Sequence, residues 1–431
     1  MKSIRIKNTD IRFLREPLLA PFGFKGKYLT ELWQTVVLIE SDNYKSACPT
    51  TISVLWSDAS VFVEHSPEES SALMRDVTAY ALEMIRGESF VYPYELINGF
   101  FLELKRYADK ICNREVAETF VLNSLVGVDY ALWSLYALEN GIDDFDGIIP
   151  NHAAQALSSK HTRLAHIPLV SYAVGEESLR TLLDSGTGLL KIKIGKSCGE
   201  NLTKQEDMKS MLEWDKARLT EIHSLAKRYT TDLSNDGRIK YYLDANGRYD
   251  SIERLSSLLE HADRIGALDC IELLEEPFSP ENEAFVGDLP ITVNADESAH
   301  SLADVQKRLA LGYKAVALKP IAKTMSVSFD MAAAVHSAGA SCLCADLTVV
   351  PLLAEWNKQF AARINALGGM NCGCIEINGN QNYTNWNSLC RMLPNELEYV
   401  PEKNGRFELD KKFYENGARL FDCNGYFELF K

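Results

Sequence analysis

Apolar and polar residues alternate at period two in two runs up to about Ser41. A loop holding Pro17, Pro21, Gly23 and Gly26 separates the runs, so the pattern predicts an antiparallel strand pair. The period then lengthens. Near 68–88 and 115–139 apolar positions recur at spacings of three and four, which predicts helices, the second stopped by Asn140-Gly141. An α+β domain over 1–140 follows.

From residue 166 the grammar changes. Short β-rich runs at 167–174, 189–194, 241–245, 270–276, 291–296, 315–319, 341–346 and 373–377 alternate with segments of helical period. Eight strand–helix units predict parallel strands with crossover helices, and their number fits a closed (β/α)8-type (modified TIM) barrel over 166–382 better than an open sheet. The stretch 195–240 is long and charged and reads as an extended helix followed by a polar loop at Ser234-Asn235-Asp236-Gly237. The segment 383–431, rich in aromatics and charge, is expected to return to the N-terminal domain.

A chain of 431 residues can bury a large core, and its net charge of −15 opposes general attraction to nucleic acid or to an anionic membrane. Ten cysteines are too sparse for a disulfide scaffold. Met1 to Lys7 lacks the apolar run of a secretory leader, and no uninterrupted apolar run approaches the ~18 residues that span a bilayer. The expectation is a soluble cytoplasmic protein with reduced thiols.

A parallel barrel carries its chemistry at the C-terminal ends of its strands. There this chain places Lys191 and Lys193 on strand two, Asp244-Ala245-Asn246 on strand three and Glu275-Glu276-Pro277 on strand four. Asp296-Glu297-Ser298 ends strand five and Lys319-Pro320 ends strand six. Lys191 and Lys193 share a strand face, about 6.6 Å apart. A surface strand with two solvated lysines is the bland alternative, but Ile192 and Ile194 then form the helix-facing side and turn the lysines into the barrel. Two cations there need partners. Single acidic residues at strand ends usually cap the next helix; three on adjacent strands, flanked by lysines, instead suit oxygen ligation of Mg²⁺ by Asp244, Glu275 and Asp296.

Such a site can remove a proton next to a carboxylate, with the metal taking the charge of the enediolate. A lysine serves as base only when its amine form is populated, and an adjacent ammonium and a metal both favour that form. Either Lys191 or Lys193 meets this requirement.

The texts Lys191-Ile192-Lys193-Ile194-Gly195, Leu243-Asp244-Ala245-Asn246-Gly247, Glu275-Glu276-Pro277, Asn294-Ala295-Asp296-Glu297-Ser298 and Leu318-Lys319-Pro320 resemble the enolase superfamily of mandelate racemase/muconate lactonizing enzyme type, in its muconate lactonizing enzyme-like subgroup. The resemblance spans most of the chain and implies an N-terminal α+β capping domain before the barrel. It implies Asp244, Glu275 and Asp296 as Mg²⁺ ligands (Mn²⁺ as the alternative ion), Lys193 and Lys319 as the opposed acid/base pair, and Lys191 beside the substrate carboxylate. A homo-oligomer is also expected on this basis. Where relatives carry a Gly-x-Gly-Glu-like turn after the first hairpin, this chain reads Ala47-Cys48-Pro49-Thr50-Thr51. The loop of Phe22, Phe24 and Lys25 corresponds to the segment that closes over substrate in relatives and is a candidate pocket lining, with plain hairpin packing as the alternative. Asn246, Asp346, Glu376 and Asn378 are candidate substrate contacts; Asp346 and Glu376 could equally orient Lys319 or cap helices.

The pairs Cys342/Cys344 and Cys372/Cys374 could gather around zinc, but small buried barrel residues are the simpler reading. His300 and His336 fall on predicted barrel helices and receive no chemistry. The leading expectation is a racemase or epimerase, with dehydratase or cycloisomerase chemistry on an acid sugar or related acid as the alternative. A barrel that only binds metal and carboxylate is the reading from another class.

Overall fold

The computed structural model describes residues 1–431 except 25, 200–201, 346–347, 395–396, 416, 418–419 and 421–423, and except the side chain of Phe24. Strand β1 (Asn8–Phe24) runs antiparallel to β2 (Lys27–Glu40), with Asn8 opposite Glu40 and Phe24 opposite Lys27. A third strand, β3 (Lys45–Ile52), pairs with the other edge of β2 and was not anticipated. It contains the Ala47-to-Thr51 text that departs from relatives, and Pro49 is tolerated because β3 is an edge strand.

Helices α1 (Pro67–Ile85), α2 (Pro93–Ile111) and α3 (Glu118–Asn140) complete this layer. A capping box between Ser66 and Glu69 starts α1, and left-handed Gly141 (φ 66°) ends α3. Among the described residues α3 is the one helix long and apolar enough to cross a membrane, and 94% of its most apolar window is buried in the protein. It packs on β2 and β3, close enough that Gly127 N–H donates to Thr50 Oγ1 and a Cβ at Gly127 would lie 2.5 Å from that oxygen. Thr35 faces Thr50 in this register, so its neighbour Gln34 points to the opposite side of the sheet. There the C-terminal turn Gly425–Phe430 returns, and Tyr426 OH donates to Gln34 Oε1 at 2.8 Å. Burial on both faces explains why β2 reads Thr35-Val36-Val37-Leu38-Ile39 without alternation.

The second sheet holds β4 (Arg163–His166), β5 (Leu169–Val170), β6 (Leu189–Lys193), β7 (Lys240–Asp244), β8 (Ile271–Glu275), β9 (Val293–Ala295), β10 (Ala315–Leu318), β11 (Ser341–Cys344), β12 (Gly373–Ile375) and β13 (Arg406–Glu408). The order is β13-β4-β12-β11-β10-β9-β8-β7-β6-β5. Strands β4 and β5 are two halves of one barrel strand broken at Ile167-Pro168; the sequence pattern predicted a run over 167–174, so it missed β4 and ran four residues past β5. The first half pairs with β12 and the second with β6, both in parallel, so the sheet closes on itself. Strand β13 is antiparallel and lies along β4. The crossover helices include α4 (Glu176–Asp184), α5 (Lys204–Ala226), α6 (Ile252–Arg264), α7 (Leu302–Ala310), α8 (Met325–Ser337) and α9 (Pro351–Ala361).

The barrel interior is filled by Ala165, Leu189, Tyr242, Leu273, Ala315, Ala317, Leu343 and their neighbours. Cys372 and Cys374 belong to this filling, whereas Cys344 packs among the helix-facing residues with Cys342 against them. The two cysteine pairs therefore point to opposite sides of the wall and form no common zinc site. His336 lies on α8 as expected, but His300 precedes α7 in the loop after β9, where burial lowers its pKa to about 4.

Candidate functional site

Strand alternation builds the site. On β6, Leu190 and Ile192 join the helix-facing core, so Lys191 and Lys193 project inward. The parallel register sets Lys191 beside Tyr242, Lys193 beside Asp244, and Asp244 beside Glu275. Glu275 points inward and Glu276 outward, where it accepts from the backbone N–H of Asp296 and from the backbone and hydroxyl of Ser298. A positive φ of 39° at Glu276 makes this reversal at the strand end.

The side chains meet closely. Lys193 Nζ lies 2.6 Å from both Asp244 Oδ2 and Asn246 Oδ1. Across the site Lys319 Nζ donates to Asp296 Oδ2 at 2.5 Å. Lys191 is buried between Asp244 Oδ2 and Glu275 Oε2, both at 3.2 Å, and Glu376 Oε2 at 3.3 Å, with the Tyr242 ring centroid 5.0 Å away. Ligand atoms of Glu275, Asp296 and Glu297 lie within 4.8 Å of one another.

Burial sets the electrostatics and charge pairing then splits them. Burial alone would raise Asp244 and Asp296, but the ammonium groups of Lys193 and Lys191 and of Lys319 and Lys323 overcome it and hold both carboxyls below their usual range. Glu275 is pushed well up by burial and by neighbouring Asp244; Glu297 rises for the same reason, with Asp296 as its main neighbour. Burial opposes the charge on Lys191 and Lys319, yet Glu275 and Glu376 raise the first and Asp296 and Glu297 the second.

Two residues escaped sequence reasoning. Glu297 accepts from Asn246 Nδ2 at 2.9 Å while its Oε2 is buried without a hydrogen-bond partner. Alternation hid it, since β9 ends at Ala295 and the inward/outward rule no longer applies at Asp296 and Glu297. Lys323 donates to the Ala299 carbonyl at 2.7 Å behind Asp296, and burial lowers its pKa to about 8. It is one helical turn after Lys319, a spacing that could have flagged it.

Other expectations are redistributed. Asn246 bridges Lys193 and Glu297 instead of standing free for a substrate. Glu376 engages Lys191, while Asn378 Oδ1 accepts from Thr348 Oγ1 at 2.9 Å. Phe22 packs near Trp56 of the N-terminal layer, with ring centroids 5.3 Å apart. Lys25 and Asp346 lie outside the described residues, as does the side chain of Phe24.

No family model matches the sequence, and no curated protein does. Solved structures do match in fold. The L-Ala-D/L-Glu epimerase from Bacillus subtilis, solved as a substrate-liganded complex, superposes with a TM-score of 0.62 at 16% identity, covering 94% of this chain and 96% of its own. The dipeptide epimerase from Enterococcus faecalis V583, complexed with Mg and the dipeptide L-Leu-L-Tyr, gives 0.61 at 15% identity over 96% and 99%. A mandelate racemase/muconate lactonizing enzyme from Roseiflexus sp. gives 0.63 at 16% identity over 96% of each chain. The chain thus has the capped barrel fold of enolase-superfamily structures of the mandelate racemase/muconate lactonizing enzyme type.

Proposed function

We propose that this protein is an enzyme that removes the proton next to the carboxylate of a small substrate and returns a proton to the opposite face, as a racemase or epimerase does. One observation carries the reading: Lys193 ends β6 and Lys319 follows β10, strands separated by β7, β8 and β9, and each pairs with a carboxylate of one buried cluster. In this reading residues 1–140 cap a barrel over 166–382, and 383–431 returns to the cap.

The donors fit Mg²⁺, with Mn²⁺ as the alternative, because they are all carboxylate oxygens. Glu297 Oε2 is buried without a hydrogen-bond partner, while Glu275 Oε2 is shared with Lys191 Nζ at 3.2 Å. Asp244, Glu275 and Asp296 would hold the ion with Glu297 as a fourth carboxylate; when bound, it supplies Lewis-acid neutralisation of charge on the substrate carboxylate.

Lys193 as amine takes the α-proton, and Asn246 Oδ1 aims its nitrogen. Lys319 as ammonium then delivers a proton to the other face, and the electron pair left on the α-carbon forms the new C–H bond. Lys191 is shut behind Asp244, Glu275 and Glu376, so its part is to fix counter-charge beneath the cluster and not to meet the substrate carboxylate. The epimerases of similar fold make dipeptides the first probes.

The test is deuterium uptake from D₂O, read by mass spectrometry and NMR, on L-Ala-L-Glu, L-Ala-D-Glu, L-Leu-L-Tyr, mandelate and a set of sugar acids with Mg²⁺ present. Exchange that needs the ion and disappears in the Lys193→Ala, Lys319→Ala double variant is expected. Exchange that survives that double substitution, or no turnover of any probe by protein shown calorimetrically to bind Mg²⁺, would overturn the reading.

A further inference from the structure

Neither lysine is held by its own contacts alone. Beyond Lys193 the chain leaves β6 through Ile194 and Gly195, and the Gly195 N–H donates to both carboxylate oxygens of Asp215 on α5, each at 2.9 Å. Gly195 has φ 80°, and a Cβ there would lie 2.7 Å from Arg248 Cβ. Asp215 Oδ2 also accepts from Tyr249 OH at 2.7 Å, and Tyr249 stands in the loop that follows Asp244 and Asn246. One fully buried carboxylate therefore ties the exit of the base's strand to the loop that carries Asn246 and that follows Asp244 at the end of β7, the two residues that touch Lys193 Nζ.

The opposite face has a separate anchor. The carbonyl of Lys319 accepts from Ala322 and Lys323 N–H in a single helical turn, and Thr324 then adopts φ 68° before α8 begins. The first two N–H groups of α8, on Met325 and Ser326, donate to Asp129 Oδ2 at 2.9 and 3.1 Å, and Ser326 hydroxyl bonds Asp129 Oδ1. Trp133, one turn further along the same helix, donates to Ser326 Oγ at 3.0 Å. Asp129 and Trp133 belong to α3, so the N-terminal layer holds the start of α8, six residues beyond Lys319.

We infer that Asp215 and Asp129 are positioning residues, one for each face of the site: Asp215 places Lys193, and Asp129 places Lys319. Neither touches the reacting atoms. Each is buried, and each satisfies backbone donors that no nearer acceptor serves, in chain that bends through a left-handed residue within six positions of the lysine. This rests on the two-lysine reading above.

The experiment compares early deuterium exchange of L-Ala-L-Glu and L-Ala-D-Glu, one for each face, in Mg²⁺-loaded protein. Lys193→Ala and Lys319→Ala establish which antipode each lysine serves. Asp215→Ala is expected to lose exchange on the Lys193 face by on the order of 10²-fold, the effect of a displacement near 1 Å, and to leave the other face at the wild-type rate. Asp129→Ala is expected to do the reverse, with Asp215→Asn and Asp129→Asn recovering part of each loss. Melting curves and calorimetric Mg²⁺ titrations identify the variants that fold and load the ion. Should an alanine variant fail to fold, Tyr249→Phe and Ser326→Ala, each lacking one hydroxyl, carry the same comparison. Equal loss on both faces, or no loss on either, in folded and Mg²⁺-binding protein overturns the assignment. Absence of exchange by the wild type would instead sink the two-lysine reading, and this inference with it.

Discussion

Glu376 Oε2 and Lys191 Nζ lie 3.3 Å apart, both residues buried, Lys191 on β6 and Glu376 directly after β12, the two strands that flank the split first strand. Lys191 has two further partners, Asp244 and Glu275, which are also the carboxylates proposed to hold the ion. Oxygens that turn to a cation leave Lys191, and Glu376 is then its remaining anionic partner. Glu376→Gln is therefore expected to weaken Mg²⁺ binding by about tenfold, the worth of one charge-assisted hydrogen bond. Isothermal titration checks it, and an unchanged affinity would refute the coupling.

Glu297 should show opposite signs in two measurements. Its carboxylate is buried beside Asp296 and Asp244 with one oxygen lacking a hydrogen-bond partner, so replacing it by glutamine removes like-charge repulsion and a desolvation penalty. Glu297→Gln is expected to stabilise the metal-free protein by about 1 kcal/mol and to weaken Mg²⁺ binding by at least about tenfold. Chemical denaturation in chelator and calorimetry with Mg²⁺ give the two values. A loss of stability in chelator would contradict the stated role.

These residues also show what the sequence exposes. Lys191 and Lys193 were legible because two-residue spacing on a strand fixes a shared face; the same rule allowed only one of Glu275 and Glu276 to point inward, and the family resemblance chose Glu275. Glu297 was hidden because the rule stops with the strand at Ala295. The third N-terminal strand was hidden by Pro49, which reads as a breaker unless its edge position is known. Pro168 split the first barrel strand for a related reason, as proline supplies no N–H to the ladder. The anchors Asp129 and Asp215 were illegible because they act across helices, on partners 196 and 20 residues away in sequence, and no local pattern marks such a contact.

Asp129 and Asp215 also make stability depend on pH. Burial outweighs their hydrogen bonds and raises both pKa values to about 6. The folded state then binds protons more tightly than the unfolded chain between about pH 4 and 6. Each group's contribution is fully present below its unfolded pKa and is lost as pH rises through about 6, on the order of 3 kcal/mol each. Other carboxyls shift the opposite way, so the informative quantity is the difference between variant and wild type. Asp215→Asn should gain stability relative to wild type as pH rises from 4 to 7; urea midpoints at fixed pH values would show it, and a flat difference would contradict the burial argument.

Gly195 is the most constrained position next to a proposed catalytic group. Alanine there meets an unfavourable left-handed φ costing about 1 kcal/mol, and its Cβ would approach Arg248 Cβ to 2.7 Å and the Ala245 carbonyl to 3.1 Å. Arg248 can move only by shifting the loop that bears Asn246 and Tyr249, so the strain passes to the groups around Lys193. Gly195→Ala is expected to lose about 1–3 kcal/mol of stability, as overpacked sites do. It should reduce deuterium exchange on the Lys193 face more than on the Lys319 face. Adding Arg248→Gly, which removes the obstructing Cβ, should restore part of both losses while the conformational cost at residue 195 remains. If the double variant is no better than Gly195→Ala alone, the clash with Arg248 is not what limits this position, and the φ of the turn accounts for the whole effect.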